Sequence, residues 1–281
     1  AKNSKNFIND YYFSFSSREG SILINNILMT IICGTVFLGT VYPLIIEALT
    51  GSKISVGEPY YNSTVIPIVV PAILVMGFGP ILSWNRDENA KIFKKLLPSF
   101  LLTFLFSIII FIFYKPYNVI GFLGVVLAFW IISNGLYLLI TNKTKKHAYS
   151  MIISHIGIGF LILGITCSSV WQKEKIVKMK INDEVKIKNY TFSFKKINEI
   201  KGPNYLAIQG KFSVYNDKGK IIAELKPENR FYPITNIFTT EASINSKIFR
   251  DLYIVLGEGN PNDGWIVRIY VNPLVIWIWI G

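Results

Sequence analysis

Five stretches of this chain, at roughly 21–48, 62–84, 96–114, 118–141 and 148–171, run on with almost no charge. The hydrocarbon core of a bilayer takes about 20 apolar residues of helix. Inside it the backbone finds no water, so a helix is the simplest way to satisfy every N–H and C=O group. The runs therefore predict five membrane-spanning helices. A sixth opens at Pro273 with "PLVIWIWIG" and reaches the last residue, Gly281. The chain starts without Met and stops inside an apolar run, so it is expected to be part of a longer protein. No signal peptide is visible at its start.

The chain is 51% hydrophobic yet carries a formal charge of +12, and mapping the charges resolves the tension. Lys and Arg are retained on the cytoplasmic side of short loops. Lys2, Lys5 and Arg18 precede the first run. Arg86, Lys91, Lys94 and Lys95 follow the second, and Lys143, Lys145 and Lys146 follow the fourth. The intervening loops hold one lysine each, Lys53 and Lys115. The chain is thus expected to start inside and to place everything after Trp171 outside, in the periplasm of a bacterial inner membrane. Basic residues between Lys173 and Arg268 then face away from the cytoplasm, which argues against nucleic acid and for lipid headgroups or an acidic partner.

Beyond Trp171 the pattern changes to period two. "EKIVKMKI", "EVKIKNYTFSFKKI", "YLAIQGKFSVY" and "KIIAELK" alternate apolar and polar residues, and "RDLYIVLGE" and "GWIVRIYV" supply two later strands. "YNDKGK" at 215–220 reads as a turn between two of them. The expected fold is a polytopic α-helical membrane protein with an inserted periplasmic all-β domain, sandwich or barrel-like. Its parts are a cytoplasmic entry segment at 1–20, a five-helix region at 21–171, the β domain at 172–271 and the start of a sixth helix at 272–281.

The constellations of soluble enzymes are missing: no HExxH, GxSxG, phosphate-binding glycine loop or CxxC occurs. Cys33 and Cys167 stand alone in separate helices and read as packing residues. His147 adjoins two lysines in a cytoplasmic loop. His155 is different, because it lies about seven residues, or about 10 Å, into an apolar run. An intramembrane ionisable group is a functional candidate by default, and a neutral imidazole can also simply bridge two helices. Both readings stand at this stage: metal or cofactor ligand, or interhelical hydrogen bond. Gly157, Gly159 and Gly164 lie on the same run, with Gly159 one turn from His155 on its face. A bare glycine there would leave room for a flat macrocycle, or would let helices pack closely. Pro43, Pro67, Pro71 and Pro80 are expected to kink or break the first two helices. Asn25, Asn26 and Asn134 are candidates for interhelical bonds, Glu47 lies near a helix end, and Tyr60 and Tyr61 read as an interface belt.

Several blocks in order resemble the C-terminal half of the CcmF family of cytochrome c maturation haem lyases. They are "SREGSILINN" at 17–26, "LGTVYPLIIEALTGSKISVGEPYYN" at 38–62, "SHIGIGFLILGI" at 154–165, "RFYP" at 230–233, "RDLYIVLGE" at 250–258 and "GWIVRIYVNPLVIWIWIG" at 264–281. The resemblance implies a lyase that takes haem, its substrate, from a periplasmic haem carrier protein. It attaches the haem to CxxCH thiols of apocytochrome c, working with thiol-reducing and chaperone subunits. It further implies a resident haem b between two transmembrane histidines. His155 matches the second of these as the ligand to haem iron, with Gly159 packing against the haem. The family's tryptophan-rich WWD loop has no counterpart here, and Trp277 and Trp279 read as an interface belt. This chain alone is therefore not expected to be a competent lyase. Other readings are a paralogous haem lyase for a multihaem nitrite reductase, a membrane transporter or channel subunit with His155 on the path, and an assembly scaffold.

The charge asymmetry makes a direct prediction. Reporter fusions after Lys146 should read cytoplasmic and those after Gly219 periplasmic, and the reverse pair of results would overturn the topology.

Overall fold

The computed structural model describes residues 17–83, 89–114, 118–141 and 146–281. Lys2, Lys5, Arg86, Lys115, Lys143 and Lys145, on which the topology rests in part, lie outside the described residues, as do the side chains of Lys91, Lys146 and His147. The chain divides into two compact units, with the boundary after Phe160.

The first unit is helical. Helix α1 (Arg18–Thr50) begins where Ser17 Oγ accepts from Gly20 N at 3.1 Å. It ends at Gly51, whose φ of 70° lets its N–H return to Glu47 O, a left-handed cap that suits glycine. The Glu47 side chain forms an exposed pair with Lys53 at 3.8 Å. Thr30, Thr35, Thr40 and Thr50 each donate to the carbonyl four residues back at 2.8 Å, so these hydroxyls need no water along an apolar helix.

The second apolar run is broken. Helix α2 (Glu58–Thr64) meets α3 (Ile66–Phe78) at Val65, and α3 runs into a short 3₁₀ turn, Gly79–Ile81. The two limbs are bent by 47°. Pro67 sits in the first turn of α3, where its missing N–H costs nothing. Pro71 and Pro43 are carried inside α3 and α1 without ending them, and Pro80 lies in the 3₁₀ turn. Tyr60 Oη donates to Thr35 O at 3.1 Å, and a Cβ on Gly39 would lie 2.6 Å from the Tyr60 ring. Tyr60 therefore packs on α1.

Helices α4 (Asn89–Tyr114) and α5 (Val119–Thr141) pack side by side. Ser99, Thr103 and Ser107, spaced four apart, form a buried stripe on α4, and Thr103 Oγ1 lies 3.4 Å from Phe129 O of α5. Small polar residues of this kind allow close approach of helices in lipid. Helix α6 (Lys146–Val170) follows. Among the described residues four helices are long and apolar enough to cross a membrane, and a fifth span results if the bent pair counts as one.

The second unit is an antiparallel β-sandwich. One sheet has the order β1 (Lys173–Met179), β10 (Gly264–Pro273), β9 (Arg250–Asn260), β8 (Ser243–Lys247). The other runs β2 (Glu184–Ile187), β3 (Tyr190–Lys201), β4 (Leu206–Asn216), β6 (Glu228–Tyr232), β7 (Ile237–Glu241), with β5 (Ile221–Leu225) also on β4. The "EVKIKNYTFSFKKI" run is a hairpin, not one strand: it turns at Lys188, whose φ is 50°. Alternation buries Leu252, Ile254 and Leu256 of β9 against Phe192, Phe194 and Phe212 of the facing sheet. Phe194 and Phe212 stack at 4.4 Å, and Trp265 meets Phe194 edge-on at 5.7 Å. A short helix, α7 (Val275–Ile280), follows β10.

The core makes an energetic prediction. Phe194→Ala should destabilise the β domain by about 3–5 kcal/mol. Phe238→Ala, on an exposed edge strand, should stay within about 0.5 kcal/mol. Limited proteolysis of the membrane-embedded protein against temperature checks the contrast, and equal sensitivity would contradict the core assignment.

Candidate functional site

His155 lies on α6, half-buried, and its Nδ1 is 2.8 Å from Met151 O, one turn back on the same helix. A carbonyl oxygen can only accept, so the proton of this bond sits on Nδ1. In the neutral ring Nε2 then keeps its lone pair. This arrangement is common among histidines that bind metals, where a hydrogen bond at one ring nitrogen fixes the tautomer and orients the other. Among the described residues the bond that His155 makes is local to α6, and no bridge to another helix is formed.

A cavity of about 340 Å³ opens beside His155. Arg18, Ser21 and Asn25 of α1 line it, with Met76 of α3 and Met151, Ser154 and Ile158 of α6. Its volume falls within the range of about 300–1,000 Å³ usual for small-molecule sites. The elements that build it are explained by the "SREGS" block. Ser17 caps α1, Ser21 Oγ donates to Val75 O at 3.4 Å, and Arg18 Nη2 reaches Met151 Sδ at 3.3 Å. A cation is thus held next to the histidine's own helix. In the sequence Arg18 stands as a topology signal and as part of the "SREGSILINN" block, with nothing to tie it to His155. Met76 and Met151 carried no signal that could have placed them here.

On its other side His155 borders a void of about 10 Å³, shared with Asn134, Gly135 and Ile152. Asn134 Nδ2 donates to Trp130 O at 2.7 Å within α5, not to another helix. Its Oδ1 is buried with no hydrogen-bond partner among the described residues. Trp130 Nε1 in turn donates to Leu74 O at 3.3 Å, which joins α5 to α3.

Gly159 does not face open space. A Cβ built on it would lie 2.5 Å from Ile132 Cγ1 and 3.2 Å from Ala128 O. On this side the glycine is therefore filled against α5, as in the close-packing reading of its place. Gly135 makes the reciprocal approach, receiving Ile156 of α6. Together these glycines press α6 onto α5.

The "RFYP" block begins within strand β6 of the sandwich. Arg230 of "RFYP" is bonded through Nε to Glu228 at 2.8 Å and through Nη1 to Glu241 at 3.2 Å, and lies 4.4 Å over the Tyr205 ring. The Glu228 hydrogen bond pushes the guanidinium pKa up, so the cross-strand clamp keeps its charge. Cys167 is buried and Cys33 exposed, both unpaired. Among the described residues no three or more His, Cys, Asp or Glu side chains gather as a bare-metal site.

Apolar helices joined to an antiparallel sandwich define a polytopic membrane protein with a folded domain outside its helices. Comparison with known proteins shows what the chain is similar to. Residues 170–273 match the CcmF C-terminal β-sandwich. The chain is 35% identical over 277 residues to the cytochrome c-type biogenesis protein CcmF of Escherichia coli (strain K12), covering 94% of this chain and 42% of that protein. It is 31% identical to the cytochrome c-type biogenesis protein ccl1 of Rhodobacter capsulatus, covering 96% and 42%. A solved structure, cytochrome c heme lyase CcmF, shares the fold with a TM-score of 0.73 at 20% identity, over 95% of this chain and 44% of that one. The family model thus matches residues 170–273, and the chain is similar along nearly its whole length to part of CcmF-type proteins. It spans about 42% of the length of these curated relatives.

The packing makes its own prediction. Gly159→Ala should cost about 1–3 kcal/mol through overpacking between α5 and α6. Ile132→Ala in the same protein should recover part of that loss, a coupling expected only between touching residues. Thermal stability in detergent of the two single variants and the double variant reads it. Purely additive effects would contradict the contact.

Proposed function

We propose that this chain is part of a haem lyase of cytochrome c maturation, with His155 as an axial ligand to a haem b among its helices. One observation carries the reading: His155 Nδ1 is tied to Met151 O, which leaves Nε2 as a lone-pair donor beside a ligand-sized cavity. The residues present suit a haem. Nε2 would hold the iron, and the Arg18 guanidinium lining the same cavity would face an anionic edge of the group. The Met151 bond makes the imidazole a stronger donor and holds the ring in place, a lever on the iron's potential. When bound, the haem would supply electron transfer towards the substrate haem.

The substrate haem is proposed to come from a periplasmic haem carrier protein, and the acceptor to be the CxxCH thiols of apocytochrome c, presented with its thiol-reducing and chaperone subunits. The β-sandwich lies in the periplasm of the inner membrane in this scheme and serves as a platform. This chain alone is proposed to be inactive as a lyase, because it has no counterpart of the tryptophan-rich loop that holds the substrate haem. What its own residues do is bind, orient and tune: Nε2 towards iron, Met151 O behind it, and α5 pressed against α6 to fix both.

The test is a contrast between substitutions in the purified protein. His155→Ala and His155→Gln should both lose the b-type visible spectrum while the protein remains in the membrane, because an amide is a poor iron ligand. Cytochrome c yield should fall with it. A His155→Gln protein with a full b-type spectrum and normal cytochrome c would overturn the assignment.

A further inference from the structure

The β8–β9 hairpin turns on Ile248 and Phe249, the two residues between Lys247 and its partner Arg250. Two-residue hairpin loops are normally built from Gly, Asn or Asp. Polar residues do occupy the Asn216–Lys220 turn of the same domain. Here the tip is two large apolar residues, and they are 58% and 71% exposed.

The tip's depth follows from contacts within the second unit. A Cβ on Gly164 of α6 would lie 2.8 Å from Ile278 N and 3.1 Å from Leu274 O, so α7 starts against α6 at that level. The apolar span of α6 runs to Val170. Gly164 is therefore about 9 Å below the end of the span at 1.5 Å per residue. Leu274 N donates to Phe249 O at 3.3 Å, and Trp277 Nε1 donates to Ile248 O at 2.8 Å. The hairpin tip is thus fastened beside the last two turns of a membrane-spanning helix. Both tip carbonyls are satisfied by protein donors, which is what backbone exposed to hydrocarbon requires.

We propose that Ile248 and Phe249 insert into the acyl-chain region of the bilayer and anchor the β-sandwich to the membrane surface. The exposed Lys247 at the base of the tip suits anionic lipid phosphates, with its alkyl stem alongside the apolar side chains.

The test places an environment-sensitive fluorophore at Ile248→Cys, with Cys33→Ala and Cys167→Ala, in the protein reconstituted into bilayers. Ile234→Cys, on a turn where the side chain is 92% exposed, is the reference. Emission from position 248 should be blue-shifted, lost to phospholipid carrying an acyl-chain nitroxide, and unaffected by aqueous iodide. Position 234 should show the opposite pattern. Quenching of 248 by iodide as at 234 would overturn the proposal. So would protection of 248 from both quenchers, which would mean that another protein segment covers the tip.

Discussion

Hydrocarbon offers no hydrogen-bond partner, so a polar group within an apolar helix is stabilised by finding one inside the protein. The threonines of α1 meet this demand by bonding to carbonyls one turn back. His155 meets half of it the same way, through Nδ1 and Met151 O. The imidazole has a second nitrogen, and one local bond leaves that nitrogen as a lone-pair donor. What makes His155 a ligand candidate is therefore the half of its bonding capacity that the helix does not use.

A ligand nitrogen is only useful if its helix is held still. Gly135 and Gly159 let α5 and α6 approach until Ile132 and Ile156 fill the space a Cβ would take. Trp130 then links α5 to α3 through Leu74 O, and α3 meets the start of α1 at Ser21. The cavity beside His155 is the gap these contacts leave, walled by α1, α3 and α6. In the second unit, Lys188 Nζ reaches Trp171 O at the end of α6, and Trp277 reaches the β8–β9 hairpin. The sandwich is thus fastened to both chain segments that lead into apolar helices.

Hydropathy is a local property, and so the apolar runs were legible from the sequence. Most of the sandwich's strands were legible too, because alternation survives wherever one face is buried. The break at Val65 was not located, since it accompanies Tyr60 packing on Gly39, more than twenty residues away in sequence. Strands β7 and β8 lie at sheet edges and alternate weakly, and the hairpin at Lys188 hides inside an alternation that continues across its turn. At the site, His155 was conspicuous as a lone imidazole. Arg18, Met76 and Met151 were not, because the cavity is assembled from three helices. Helical spacing put Gly159 on the right face, but it carries no information about which neighbour fills that face.

The proposed role of His155 is that Nε2 binds iron beside the cavity this residue lines. Chemical rescue tests it most directly. A His155→Gly protein, purified in detergent and supplied with imidazole, should regain the b-type visible spectrum, because the free ring can enter the space left by the lost one. Recovery should depend on imidazole concentration and vanish on dialysis. A His155→Gly protein that keeps its b-type spectrum without imidazole would contradict the account, because the iron would then have its ligands elsewhere.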